Sequence, residues 1–302
     1  DSFAGASPQN AGKFNRYNIG GYFSLDYDVS DAFLLSGTIR TENYSDFGNA
    51  FVYKFSSRYK VSDAFTLRGS ISSGFRAPTL HQIYTQKAQY SFVPGEGIQV
   101  GGLVNNVSSQ AGLLGLPKLD AETSDNFTLG LGGKVSTNFS FTIDYYSINV
   151  KDRIVLSTEI GPTDAGNTAL DKILEDNNLS DLSFFVNAID TKTSGLDVVF
   201  TYDKLEVGNG KLGFNLSGNY TIANERDGAV KNPTLVADAG QSVVNDTQEA
   251  LFFTSRPKTK WILGANYDIG KFGLSLNNTY FGKTTFKQQG LDANLRTEFT
   301  PK

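Results

Sequence analysis

Apolar and polar residues alternate with a period of two along about ten segments, and this alternation constrains the fold more than any other feature. In one segment Leu35 and Ile39 share a parity, while Thr38 and Arg40 share the other. Successive side chains of a β-strand point to opposite faces, so each segment predicts a strand with one apolar and one polar face. The predicted strands lie at about 16–28, 33–42, 51–59, 65–72, 122–131, 139–145, 196–202, 212–220, 260–267 and 272–280.

The connections between these strands alternate strictly between short and long. The short ones fall near 29–32, 60–64, 134–138, 203–210 and 268–271. The long ones fall at about 43–50, 74–120, 157–187, 225–256 and after 281. Transmembrane β-barrels have this asymmetry, with tight periplasmic turns and long extracellular loops, whereas a soluble sandwich has no reason for it. The sequence therefore predicts an all-β fold, an antiparallel transmembrane β-barrel with about ten strands visible here.

A soluble β-sandwich is the alternative, in which the aromatic residues at the strand ends would pack in a core. The opposite parity argues against it, because it carries four arginines that a dry core could not hold unpaired. These are Arg16, Arg40, Arg58 and Arg68. The polar parity is therefore predicted to face a lumen and the apolar parity to face lipid.

Composition excludes several classes of function. The mean hydropathy of −0.26 and the lack of any long apolar run exclude a membrane-spanning helix. There is no cysteine, and His81 is the only histidine, so a catalytic triad or a metal cluster is not expected. The net charge of −4 comes without a basic stripe for nucleic acid. We predict no enzymatic activity, no cofactor, no metal site and no nucleic-acid partner.

Several motifs resemble a known family. Residues 74–78 read Gly-Phe-Arg-Ala-Pro where the fourth strand enters the longest loop, and other matching stretches lie at 40–48, 119–126, 142–154 and 187–197. On these residues the sequence resembles the TonB-dependent outer-membrane receptors, over most of the chain and in the family's order. The resemblance is closest to receptors of the Bacteroidetes type.

The resemblance implies a 22-stranded barrel closed by a plug domain, with a short N-terminal box that the inner-membrane TonB complex pulls. None of these N-terminal parts is visible here, and both ends look cut. Residues 1–302 are therefore expected to be the later part of the barrel domain, without the plug or the first and last strands. The expected partners are outer-membrane lipid and lipopolysaccharide, the TonB complex, a nutrient and a surface lipoprotein.

Candidate site residues lie on the polar parity and in the loops. Arg76 could pair with Glu122 or Asp144 and brace the wall or the plug, or it could contact substrate. We predict that six charged residues lie on the lumen side and face the plug: Arg40, Arg58, Arg68, Arg76, Glu122 and Asp144. The loop aromatics are candidates for substrate contact, with packing inside the loop as the alternative; they are Tyr84, Tyr90 and Phe92.

Segment 168–176 predicts a short helix within an extracellular loop. Thr168 is placed to cap it, with Asp171 three residues later, and Leu170 and Leu174 share one face. The helix would fold over a substrate or fill the loop, and the sequence does not rank these.

The predicted function is uptake of a scarce nutrient, a siderophore, vitamin, peptide or glycan, driven through TonB. A passive porin is the first alternative, suggested by ten strands taken alone. A surface adhesin or an envelope scaffold is the second, and an outer-membrane enzyme is disfavoured by the missing nucleophile and the single histidine.

Overall fold

The computed structural model describes residues 11–93, 97–287 and 296–299, and these are mostly β-strand. Ten strands form the wall: β1 (Asn18–Ser30), β2 (Phe33–Tyr44), β3 (Gly48–Lys60), β4 (Phe65–Arg76), β7 (Glu122–Lys134), β8 (Phe139–Leu156), β9 (Leu179–Val207), β10 (Gly210–Asp227), β11 (Thr259–Ile269) and β12 (Phe272–Phe281). Two hairpins lie in the loops: β5 (Lys87–Val93) with β6 (Gly97–Val104), and β13 (Thr284–Lys287) with β14 (Arg296–Phe299). The helices are α1 (Leu80–Tyr84), α2 (Ser109–Leu113), α3 (Ala169–Asp176), α4 (Thr234–Asp238), α5 (Asp246–Glu249) and a π-helical turn (Ala250–Thr254).

The wall is an antiparallel meander in which each strand pairs with the wall strands before and after it along the chain. All ten predicted strands are present and in order, which confirms the all-β fold. β5 and β6 join the same sheet through a parallel pairing of β6 with the start of β9. Among the described residues the sheet does not close, so β1 and β12 are its outer strands.

The short connections are tight turns set by local side-chain chemistry. The string Val-Ser-Asp-Ala-Phe occurs twice, and in both copies the serine hydroxyl accepts a hydrogen bond from the amide of the alanine two residues later. Both bonds, to Ser30 and to Ser62, measure 3.3 Å. Gly208 and Gly270 take positive φ in two other turns, where a side chain would be strained. The short connections are therefore confirmed, but the one predicted at 203–210 is only residues 208–209, because β9 and β10 pair up to Val207 and Gly210.

Large apolar side chains cover the face predicted to meet lipid. Their exposure is high for a protein in water, with Phe272 81% and Leu276 68% exposed. Further members of this apolar band include Phe23, Leu25, Phe51, Phe55, Leu67, Ile71, Phe127, Leu129 and Leu263. An exposed band of this extent is the lipid-facing surface of a membrane barrel.

Two sequence predictions about the long side were wrong. The connection predicted at 43–50 is only residues 45–47, because β2 and β3 pair up to Tyr44 and Gly48. β9 begins at Leu179, inside the loop predicted at 157–187. Backbone pairing continues beyond the lipid, where the outward face no longer has to be apolar, so alternation in hydropathy ends before the strand does.

The main buried core lies beyond the wall, on the side of the long connections. Residues from the loops after β4, β8 and β10 share it with the extended end of β9; we call this unit the cap, residues 97–116, 154–189 and 230–253. Its fully buried side chains include Leu114, Ile160, Leu170, Leu174, Phe184, Ile189, Val236 and Val243. In the described ranges, no helix has the length and apolar character needed to cross a membrane.

Candidate functional site

The polar face of the wall carries an ion pair that crosses one strand. Arg68 on β4 donates to Asp144 on β8, with Nε to Oδ1 at 2.9 Å and Nη2 to Oδ2 at 2.6 Å. Gly130 of β7 lies between them in the sheet register. A Cβ at Gly130 would lie 2.0 Å from Asp144 Oδ1, so the pair forms only because this position lacks a side chain.

The same lateral row of the sheet is polarised. Arg58 lies directly opposite Arg68, and Asp197 lies directly opposite Asp144. Arg58 makes no ion pair within the described part of the chain, while Asp197 accepts a 2.7 Å hydrogen bond from Asn219. Like charges opposite each other are unfavourable unless a partner relieves them. The row therefore presents a cationic end on β3 and β4 and an anionic end on β8 and β9.

A second ion pair closes the base of the longest loop. Arg76 pairs with Glu122 across the β4–β7 ladder, with Nε to Oε2 at 2.8 Å. The sequence left Glu122 and Asp144 open as partners of Arg76, and the structure selects Glu122. Glu122 is buried and also accepts the amide of Ile154 at 2.7 Å, so it joins β4, β7 and β8 at this level. This arrangement fits the bracing role predicted for Arg76.

The third cluster surrounds Glu42 at the end of β2 nearest the long connections. Glu42 is buried and pairs with Arg40. It also accepts hydrogen bonds from the hydroxyl of Tyr44 and from Asn18 Nδ2, the latter at 3.2 Å. The guanidinium of Arg16 lies above the rings of Tyr44 and Phe47, and it donates hydrogen bonds to the carboxylate of Asp46. The cluster holds the aromatic rings and Arg40 in fixed positions.

The cap is held together by polar contacts that the sequence did not indicate. Asp152 has a positive φ of 55° at a bulge in β8, and Lys231 donates to both Asp152 and Asp190 at 2.7 Å. Asn187 donates to the carbonyls of Asp152 and Asp120, at 2.6 and 3.0 Å. These contacts fasten the strand extensions to the loops. Leu182, Phe184, Val186 and Ala188 are apolar on one parity, and this signal could have revealed the extension of β9.

The predicted helix is confirmed as α3, with Thr168 and Asp171 forming a reciprocal capping box. Leu170 and Leu174 are buried in the cap core, so the helix fills the loop. Asp171 also accepts from the amide and hydroxyl of Thr163, at 2.6 and 2.7 Å. The hydrogen bonds from Thr163 and then from Thr168 hold the pKa of Asp171 well below its usual range.

The three loop aromatics are not brought to one place. Tyr84 stacks on Phe14 with ring centroids 3.9 Å apart, which is packing within the protein. Tyr90 and Phe92 lie on β5 and are 58% and 73% exposed. His81 lines a cavity of about 370 Å³ with Phe14 and Tyr84. Across the described ranges, no three His, Cys, Asp or Glu side chains are grouped to hold a metal ion.

Comparisons with known proteins agree with this architecture. The family described as "TonB dependent receptor-like, beta-barrel" matches residues 1–299. A comparison with functionally curated proteins finds no match.

Solved structures similar to this chain include two receptors and one transporter. The siderophore receptor PirA from Acinetobacter baumannii has a TM-score of 0.63 at 15% identity, over 94% of this chain and 38% of that one. The ferric enterobactin receptor PfeA from Pseudomonas aeruginosa has a TM-score of 0.64 at 15% identity, over 99% of this chain and 38% of that one. The FrpB iron transporter from Neisseria meningitidis has a TM-score of 0.55 at 14% identity, over 89% of this chain and 33% of that one. The chain thus spans about two fifths of the length of these structures or less, and at this identity the likeness shows the fold.

Proposed function

The chain belongs to the TonB-dependent receptor β-barrel family, and we propose that it forms part of the wall of a receptor that captures a scarce nutrient outside the cell and imports it with energy delivered through TonB. The family and its structural neighbours are receptors and transporters of the Gram-negative outer membrane. The observation that carries the proposal is the family match, which runs over the whole wall and its loops.

The cap supports a role in ligand capture. It is built from three loops and the end of β9 around one apolar core, so it is a preorganised surface on the extracellular side. Binding residues held on a packed scaffold lose little entropy when a ligand arrives. Tyr90 and Phe92, exposed on β5, remain our candidates for contact with the nutrient.

The polarised row on the lumen face supports a partner inside the barrel. We assign that partner to a plug domain in the full-length protein. Its acidic groups would face Arg58 on β3, and its basic groups would face Asp197 on β9. Outside the wall, the apolar band would contact lipid and lipopolysaccharide.

An iron-loaded siderophore is the first nutrient class to test, because the structural neighbours carry siderophore and iron in their names. Cells that express the full-length gene would be given iron-labelled siderophores, with and without a functional TonB complex. The proposal expects saturable uptake that falls to background when TonB is lost. Uptake that is unsaturable and equal in both strains would overturn it in favour of a passive channel.

A further inference from the structure

The wall opens between β3 and β4 at its extracellular end. Their ladder stops at the pair of Lys54 and Ser72, although β3 continues to Gly48 and β4 continues to Arg76. Above that pair the described contacts give one link, from the amide of Tyr53 to Ser73 Oγ at 3.0 Å. Both strands remain paired on their other sides, with β2 and with β7. The opening is therefore a gap between two firmly held strand edges.

A cavity of about 300 Å³ lies on the polar face of this opening. Ala50 and Gly74 leave room for it because their side chains are small or absent. The rings of Tyr44 and Phe75 meet edge to face beside it, with centroids 5.5 Å apart. Tyr44 is further fixed by stacking on Phe47 at 4.4 Å. The cavity thus has a rigid aromatic wall, as sites for small ligands do.

The accessible charge in this cavity is a cation. Arg40 and Glu42 both line it, but the side chain of Glu42 is only 6% exposed whereas that of Arg40 is 58% exposed. The carboxylate is covered by three donors, from Tyr44, Asn18 and Arg40. The guanidinium keeps N–H groups free for a ligand, since a single carboxylate cannot occupy all five. Glu42 therefore orients Arg40 toward the cavity.

The other face of the same opening has the opposite character. A cavity of about 410 Å³ there shares Ala50, Gly74 and Phe75 with the first, but it is lined by Asp120 and Asp125. Carboxylates disfavour an anion on that side. An anionic group would therefore enter from the polar face, where Arg40 is exposed.

We propose that the opening between β3 and β4 is a subsite for an anionic group carried on a flat aromatic body. The ring packs against Tyr44 and Phe75, and the carboxylate or similar anion pairs with Arg40. As a subsite for the nutrient this rests on the function proposed above, but its ligand chemistry can be tested without transport.

Three fluorinated probes of equal size test the proposal by ligand-observed fluorine NMR on the full-length protein in detergent. They are 4-fluorobenzoate, 4-fluorobenzyl alcohol and 4-fluorobenzylamine, which are anionic, neutral and cationic. We expect the benzoate to bind at least about tenfold more tightly than the amine, since a charge-assisted pair is gained with one and lost with the other. Equal binding of all three probes would overturn the proposal.

Matched variants locate the site. Arg40→Ala should weaken benzoate binding about tenfold, while Lys60→Ala, which removes a cation from the other end of β3 outside the cavity, should leave it unchanged. Val52→Phe fills the cavity from β3 and should weaken all three probes, with a gel-shift assay on unheated samples confirming that each variant is folded. Benzoate binding that survives both Arg40→Ala and Val52→Phe would contradict the assignment.

The binding and transport results are independent. Probe binding without TonB-dependent uptake would remove the proposed function and leave the anion site. TonB-dependent uptake by a protein that does not distinguish the probes would remove the site and leave the function.

Discussion

At the scale of single residues, the polar face of the wall depends on where side chains are missing as much as on where charges are present. Gly130 permits the Arg68–Asp144 pair to cross β7, and no rule of local sequence relates residues 68, 130 and 144. Both charged side chains remain partly exposed, at 51% and 29%, so the pair contributes modestly to stability. Its clearer effect is to fix the positions of two charges on the wall.

Gly130→Ala is expected to break this pair and lower the free energy of unfolding by about 1–2 kcal/mol, through steric overlap and a lost, partly solvated ion pair. Gly132→Ala is the control. Gly132 lies on the same face of the same strand, and a Cβ there meets nothing closer than 3.9 Å. Urea unfolding of protein folded into lipid vesicles measures both. Equal effects of the two substitutions would show that the pair does not depend on the gap at Gly130.

At the scale of elements, the strands of the wall and the helix of the cap depend on different contacts. Wall strands are specified by alternation and by turns such as those at Ser30 and Ser62. The eight-residue α3 is too short to be stable alone. It persists because its capping box satisfies the first backbone amides and its apolar face is buried. Asp171, the acidic residue of the capping box, makes α3 sensitive to pH.

Thr168→Ala is expected to destabilise α3 by about 1 kcal/mol and to increase hydrogen exchange across residues 168–176. Folding lowers the pKa of Asp171, so its contribution is present above the ordinary aspartate pKa and is lost as pH falls toward the folded value. Exchange in wild-type α3 should therefore accelerate as pH falls below about 4, after correction for the intrinsic rate.

Asp171→Asn should remove most of that acid dependence, whereas Asp176→Asn, at the exposed end of the same helix, should keep it. An acid response that is the same in both variants would mean that another group controls α3.

The buried core of the cap gives a second expectation at this scale. Phe184 is fully buried, so Phe184→Ala should cost about 3 to 5 kcal/mol through the cavity it leaves. Phe92→Ala, at a 73% exposed ring, should cost less than about 0.5 kcal/mol. Hydrogen exchange should show faster opening in the cap with β1 to β4 unchanged. Equal acceleration in cap and wall would mean that the two unfold as one unit.

At the scale of the whole molecule, the two faces of the wall are solvated differently, and the protein is stable only if lipid covers one of them. The outward face exposes Phe272, Leu274 and Leu276, while the opposite face of the same strand carries Ser275 and Asn277. In water the apolar band would cause aggregation. The bilayer is thus part of what stabilises this fold.

Leu276→Arg is expected to destabilise the protein by about 2–4 kcal/mol in lipid vesicles, because an arginine would enter the lipid-facing band. Ser275→Arg places the same residue on the lumen face one position away and should cost less than about 1 kcal/mol. Urea unfolding in vesicles compares them. The reverse order would mean that the two faces have been assigned the wrong way round.

The ten wall strands, the short turns, the polarity of each face and helix α3 can be predicted from the sequence, because all of these depend on residues within a few positions of each other. The alternation of the strands also limits the predicted partner of Arg76 to Glu122 or Asp144. The three-dimensional fold was needed to show that Arg76 pairs with Glu122 and that Arg68 reaches Asp144 across a glycine. The fold also shows that three loops share one core and that the wall opens between β3 and β4. These features depend on the lateral register of strands far apart in the chain, and hydropathy along one strand carries no record of its neighbour's register.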